Sequence, residues 1–260
     1  MSKMKIIFDE KYYNSDYAMD PAASPGRLDG IMEKIENQPE IYEIIKPEPA
    51  TDEDILRAHT ERHLSRIKRS PLLYELAALA AGGSILAAEQ AYVGNPSFAV
   101  IRPPGHHASA DSCWGFCYFN NMSISLLKLY AEGKIKSAFI LDFDLHTGDG
   151  NINILSARKD DFKVKILNPD SSSNVRYIEK VENYMEQLEN IEIFAASAGF
   201  DQGVDDWGHL LEPEDYTRLG ELMKEYSEKL CDGKRYALLE GGYNHDVIGT
   251  NVDHFCKGLK

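Results

Sequence analysis

Short apolar runs alternate along the chain with longer segments in which apolar residues recur every three to four positions. The short runs predict strands at 5–8, 98–101, 138–142, 164–167, 191–195 and 235–239. The longer segments predict helices at 28–38, 52–69, 71–91, 120–131, 175–189, 214–230 and 246–257. Two helix starts carry capping chemistry: Thr51 precedes the carboxylates Asp52, Glu53 and Asp54, and Pro213 precedes Glu214 and Asp215. This alternation is the signature of an α/β protein. With no repeat and no Gly/Ser- or Pro-rich linker, it predicts a single domain over 1–260, three layers (αβα) around a mostly parallel central sheet. The polar stretch 168–174 (NPDSSSN) reads as a surface loop.

Composition narrows the partners. Against 28 Lys and Arg stand 42 Asp and Glu, a net charge of −14. Such a surface repels phosphate backbones, so Lys-rich peptides or small cationic molecules are expected as partners and direct nucleic-acid binding is not. The four cysteines, Cys113, Cys117, Cys231 and Cys256, make no disulfide scaffold, and no charged-then-apolar leader opens the sequence; a reduced, cytoplasmic protein is expected. The longest apolar stretch, 72–91, is interrupted by Glu75, Gly82, Gly83 and Glu89 and is expected to fall short of a membrane span. No feature of the sequence specifies an oligomeric state.

In parallel sheets, ligands gather beyond the carboxyl ends of the strands, and four predicted strands end in residues with usable chemistry. After 98–101 come a rigid Pro103-Pro104-Gly105 turn and the adjacent imidazoles His106 and His107, suited to acid–base work once carboxylates fix their tautomers. After 138–141 come Asp142, Asp144, His146 and Asp149. Asp144 and His146, two apart on an extended strand end, point the same way and can share one metal ion, with Asp201 from beyond 191–195 as a third ligand. After 235–239 come Gly241 and Gly242, which let a loop approach a ligand closely, and Tyr243, whose phenol can donate to a developing oxyanion. Gly115 and Phe116 belong to an apolar turn before the helix at 120, where Phe116 reads as a channel wall or as core. Each feature alone also has an ordinary reading: solvated loop histidines, an acidic turn, a packed tyrosine.

Five segments, however, occur together and in order: RPPGHHA (102–108), GFCYFNN (115–121), DFDLHTGDGN (142–151), SAGFD (197–201) and LEGGYN (239–244). In them the chain resembles the histone deacetylase and acetylpolyamine amidohydrolase superfamily, with a class II-like pattern, over about residues 72–249. The resemblance implies an arginase/deacetylase-like fold and hydrolysis of an N-acetyl or other acyl amide, of a lysine side chain or similar amine, to a carboxylate and a free amine. It implies Zn²⁺, with Fe²⁺ as the alternative, held by Asp144, His146 and Asp201. It also implies that His106 and His107 are the tandem catalytic histidines, hydrogen-bonded to Asp142 and Asp149 respectively, and that Tyr243 polarises the scissile carbonyl. Phe116, beside Gly115, matches one wall of the acyl-lysine channel, with Gly241 and Gly242 on the substrate side. Arg27, in SPGRL (24–28), is similar to an arginine near the base of the acetyl-binding tunnel. A structural K⁺ beside Asp142 is implied too, and the substrates implied are acetylated lysine peptides or small cationic acyl-amines.

The chain also departs from that pattern. Thr147 stands where a second histidine usually follows the ligand histidine. The segment 163–177 lacks an aromatic, Gly-rich stretch, which predicts loss of the second aromatic wall facing Phe116 and makes the Lys165 ammonium a candidate replacement for potassium. A short loop before Pro71 and the lack of a rim aspartate predict an open mouth, and the long insertion of acetylpolyamine enzymes is absent. Two rivals stay in view. A two-manganese ureohydrolase would need aspartates where Gly148 and Gly203 stand, and an inactive acyl-amine binding protein would not need the intact histidines.

Overall fold

The computed structural model describes residues 3–158 and 161–260. Strands β1 (Met4–Ile7), β2 (Tyr42–Ile45), β3 (Ser97–Ala99), β4 (Ser137–Asp142), β5 (Lys163–Leu167), β6 (Phe194–Ala198) and β7 (Arg235–Leu239) form one sheet in the order β2-β1-β3-β7-β6-β4-β5. Every neighbouring pair is parallel. Parallel pairing suits strands covered on both faces, and all residues of β3, β4, β6 and β7 are buried.

The helices are α1 (Asp29–Glu36), α2 (Asp52–Leu56), α3 (Glu61–Ile67), α4 (Pro71–Tyr92), α5 (Asn121–Ala131), α6 (Asp149–Leu155), α7 (Asn174–Glu186), α8 (Pro213–Cys231) and α9 (Ile248–Leu259). α4 packs on β1, β3 and β7 and against α5, while α8 packs on β7, α7 and α9, and α9 packs in turn on α1. The result is the α/β three-layer architecture that the alternation predicts.

Four features differ from the sequence-based expectation, each for a local reason. β2 is a four-residue edge strand between Pro39 and Pro47, too short to announce itself. β6 begins three residues later than the predicted start: its small residues have weak strand propensity, and pairing with β4 and β7 on either side makes them a strand. The predicted helix 52–69 is two helices. Thr60 caps α3, its Oγ1 accepting from His63 N at 3.2 Å, and His59 in the break accepts from Asn120 N at 2.8 Å. α6, with Gly150, Asn151 and Asn153, has too little helix propensity to be predicted.

The expected helix starts are present: Thr51 Oγ1 accepts from Asp54 N at 3.2 Å, and Pro213 opens α8 with Glu214 and Asp215 in its first turn; Glu212, not singled out from the sequence, completes a capping box with Asp215. By length and hydropathy α4 does reach what a membrane span needs, contrary to the expectation drawn from its glutamates. Every residue from Leu76 to Ile85 is buried, so its apolar character is accounted for by the core.

The sheet order sets β3, β7, β6 and β4 side by side. Being parallel, these four strands open their carboxyl ends at one edge.

Candidate active site

The histidine turn that follows β3 is held from several directions. Glu240, just past β7, accepts at Oε2 from the backbone N–H of Gly105 (2.7 Å) and of His106 (3.2 Å). Asn120 and Asn121 donate to the carbonyls of Ala108 (2.9 Å) and Pro103 (3.1 Å). The buried Arg102 guanidinium donates to the carbonyls of Tyr13 (2.8 Å) and Ser24 (2.9 Å). With the backbone so fixed, His106 and His107 are buried with ring centroids 4.0 Å apart. Each meets its own carboxylate: His106 Nδ1 lies 3.3 Å from Asp142 Oδ2 and His107 Nδ1 lies 2.6 Å from Asp149 Oδ1.

These environments drive the two imidazoles apart. Burial works against charge on His106, but Asp144 and Asp142 outweigh it and hold its pKa well above the ordinary value. At His107, burial and the neighbouring charge of His106 push the pKa down to about 4. The opposite shifts favour the charged form at His106 and the neutral form at His107, a division suited to acid–base chemistry.

Beyond β4 the backbone is irregular, so Asp144 and His146 are not on an extended strand end. They nevertheless converge with Asp201, and the three candidate ligand atoms lie within 4.8 Å of one another. His146 Nδ1 is 3.3 Å from both Asp144 Oδ1 and Asp201 Oδ2. Backbone N–H groups orient the carboxylates: Gly241 N donates to Asp144 Oδ2 at 2.8 Å and Leu145 N to Asp201 Oδ1 at 3.0 Å. The adjacent Asp144 and Asp201 carboxylates push His146 up to about 10, while burial, then the charge of Asp144, raises Asp201 to about 6. Asp144 stays below the usual carboxylate range; burial opposes its charge, but His106 and the His146 and Gly241 bonds prevail.

Asp201 Oδ2 is buried with no hydrogen-bond partner. Two buried carboxylates, one imidazole and an orphaned oxygen aimed at the same point fit a divalent cation, and the O₂N donor set suits Zn²⁺. Gly241 permits this closeness: a Cβ there would stand 2.5 Å from Asp144 Oδ2 and 2.7 Å from Asp201 Cγ.

A cavity of about 120 Å³ opens above these groups, bordered by His106, His107, His146, Gly115, Phe116, Gly241 and Tyr243, with Trp114 and Trp207 completing its aromatic walls. Tyr243 stacks on Trp207 at 4.1 Å between centroids and meets Phe116 edge-on at 5.9 Å. Burial raises the Tyr243 phenol well above its ordinary pKa, so it stays protonated and can donate.

Three sequence-derived placements require correction. Gly242 does not line the cavity: its α-carbon faces Ile248 and Phe200, and its carbonyl accepts from Arg27 Nε at 2.8 Å. Arg27 is likewise outside the cavity wall, fully buried behind Tyr243, with its guanidinium carbon 5.4 Å from that ring. Lys165 is exposed on the edge strand β5, and Asp142 takes bonds from His106 and Asn151 instead, so the Lys165 ammonium does not replace a cation there. The expected loss of a second aromatic wall is made good by Trp207, which arrives on the loop after β6. Neither Trp207 nor Trp114 was singled out from the sequence. The available signal was that the chain's two tryptophans stand close to motifs.

A model of the histone deacetylase domain matches residues 69–169. The chain is 29% identical to a probable deacetylase of Archaeoglobus fulgidus across 92% of its own length and 81% of that protein's. It is 25% identical to a histone deacetylase-like amidohydrolase of Pseudomonas aeruginosa across 77% and 66% of the two chains. At 31% identity it matches a probable deacetylase of Methanothermobacter thermautotrophicus over 54% of its own length, spanning 47%, about half, of that protein. The fold matches the crystal structure of the HDA15 HD domain with a TM-score of 0.85, covering 99% of this chain and 90% of that one at 22% identity. The fold is thus of arginase/deacetylase architecture, and the relatives are named as deacetylases and amidohydrolases. In its matched segment and its fold the chain is similar to the histone deacetylase and acetylpolyamine amidohydrolase superfamily.

Proposed function

We propose that the protein is a metal-dependent amide hydrolase that removes an acetyl or other acyl group from a lysine side chain or similar amine. The observation that carries this reading is the convergence of Asp144, His146 and Asp201 beneath a cavity that also presents His107 and Tyr243. Zn²⁺ held by those three residues, with Fe²⁺ as the alternative, would supply Lewis acidity toward a carbonyl oxygen and acidity toward a water beside it.

The chain's own residues account for the remaining steps. His107, neutral near pH 7 and oriented through Nδ1 by Asp149, takes a proton at Nε2 from the attacking water. Tyr243 donates to the carbonyl oxygen as negative charge develops there, and the charged His106, held by Asp142, favours that charge. His107 then returns the proton to the leaving nitrogen as the C–N bond breaks, giving a carboxylate and a free amine. Phe116 and Trp207 flank the acyl-amine stem and exclude water, with Gly115 and Gly241 leaving it room. Arg27 holds the Gly242 carbonyl and so steadies the loop that carries Tyr243. A structural K⁺ beside Asp142 belongs to the same reading, supported by Asp142 Oδ1 and Asn151 Oδ1, both buried without hydrogen-bond partners.

An acetylated lysine peptide and a small cationic acyl-amine such as an acetylpolyamine both suit a net charge of −14. The test is a panel of acetyl-lysine peptides, free acetyl-lysine and acetylated polyamines with zinc-loaded protein. Turnover of at least one class, abolished by chelation and restored by Zn²⁺, is expected; inactivity on the whole panel overturns the reading.

A further inference from the structure

Asp149 is the first residue of α6, and its side chain is 41% exposed. So accessible a carboxylate would by itself share its bond to His107 with water. One side chain outside the five motifs closes this gap. Trp114 Nε1 donates to Asp149 Oδ2 at 2.9 Å, leaving Asp149 Oδ1 to His107 Nδ1 at 2.6 Å. The same indole lies over the imidazole of His107, with centroids 3.9 Å apart and 32° between the planes. Imidazole, carboxylate and indole thus form a closed ring of three contacts.

The local backbone accounts for this placement. Gly115 and Phe116 are consecutive residues with positive φ, 57° and 66°, and Cys117 N bonds back to the Trp114 carbonyl at 3.1 Å. The reversal brings Trp114 over His107 while Phe116 faces Tyr243. Trp207, the other indole of the cavity, stacks on Tyr243 instead.

We infer that Trp114 is a positioning residue for the His107–Asp149 pair: by donating to Asp149 and covering His107, it holds the imidazole with Nδ1 on the carboxylate and Nε2 toward the cavity. This rests on the reading of His107 as the proton carrier. Its ring and its N–H act separately, so Trp114→Phe keeps the cover and removes the donor, and Trp114→Leu removes both. Trp114 is 55% exposed, so neither change opens the core.

With the best substrate of the panel, kcat is expected to fall about tenfold in Trp114→Phe and about a hundredfold in Trp114→Leu, with KM within about twofold of wild type. In an Asp149→Asn background, Trp114→Phe should cost less than about twofold further, because the donor's carboxylate is already gone. Wild-type kcat in Trp114→Phe, a loss confined to KM, or additive losses in the double variant would each overturn the inference. A second readout needs no turnover: the His107 Nδ1 proton, followed by ¹H NMR, should exchange with water faster in Trp114→Phe than in wild type. An unchanged exchange rate also overturns it. If the wild type is inactive on every substrate yet the proton still responds to Trp114→Phe, the proposed hydrolysis fails while the positioning of the pair stands.

Discussion

Trp207 lies flat against Tyr243, with 28° between the ring planes, and the neighbouring Asp206 carboxylate accepts from the backbone N–H of Tyr243 (2.7 Å) and of Asn244 (2.8 Å). A loop leaving β6 therefore fixes a phenol that leaves β7. Among the described residues the Tyr243 hydroxyl has no hydrogen-bond partner, so its orientation comes from packing and its donor is available to a substrate.

Replacing Tyr243 by Phe removes that donor and little else. The expected outcome is a fall in kcat of about 10²-fold or more, the scale for losing one oxyanion donor. The melting temperature should stay close to wild type because no intramolecular bond is lost. Steady-state kinetics with a thermal melt check both halves, and near wild-type turnover would remove Tyr243 from the chemistry.

Asp201→Asn separates the two oxygens of one carboxylate. The retained Oδ1 can still accept from Leu145 N, while an amide nitrogen replaces the orphaned Oδ2. Bound zinc, measured by elemental analysis after gel filtration, is expected to drop from about one per chain to a small fraction, with activity lost in parallel. Stoichiometric zinc in the variant would contradict the assignment of Asp201 as a ligand.

Gly115→Ala should damage function more than stability. The backbone there has φ 57°, which costs a non-glycine residue about 1–2 kcal/mol, and the new methyl would press on the His107 ring. A modest drop in melting temperature with loss of most turnover is expected. Equal, small effects on both would show that the loop can yield without moving His107.

His59 offers a pH test remote from the metal ligands. Burial, with the adjacent His63 as a smaller cause, pushes its pKa down to about 3, against about 6.5 in an unfolded chain. Between those values the unfolded state binds the extra proton, so stability is full above about pH 6.5 and is lost as pH falls toward 3. The cost from this one group is about 2 kcal/mol at pH 5. Denaturant titrations at pH 5 and 7.5 should show that His59→Gln, which keeps an acceptor for Asn120 N, loses less on acidification than wild type. Identical pH slopes would refute the assignment.

Much of the site was legible because each chemical group follows a predicted strand within a few residues. The His106-His107 turn, Asp142 through Asp149, Asp201 and Tyr243 are contiguous with local patterns, and the structure brings them to one sheet edge. Trp114 and Trp207 were not legible as a pair of walls. Ninety-three positions separate them in the chain (207 − 114), and nothing local indicates that the loops carrying them meet over the same cavity. The inward placement expected of Gly242 failed for a similar reason. A glycine's permissiveness is visible in sequence, but the side of the loop facing the ligand is set by Phe200 and Ile248, which pack against it.

By itself the sequence determined the α/β alternation and the chemistry available at the strand ends. Periodicity, apolarity and turn residues are properties of neighbouring positions, and they survive whatever the chain later packs against. Only the tertiary structure decided that the last strand, β7, inserts between β3 and β6, so that Gly241 N meets Asp144 Oδ2 across 97 positions and Tyr243 reaches the same cavity as His107. It also decided that β6 extends through Ala198, that the helix at 52–69 breaks at Thr60, and that Lys165 faces solvent. Those outcomes depend on which surfaces are buried together, a long-range competition that local propensity does not encode.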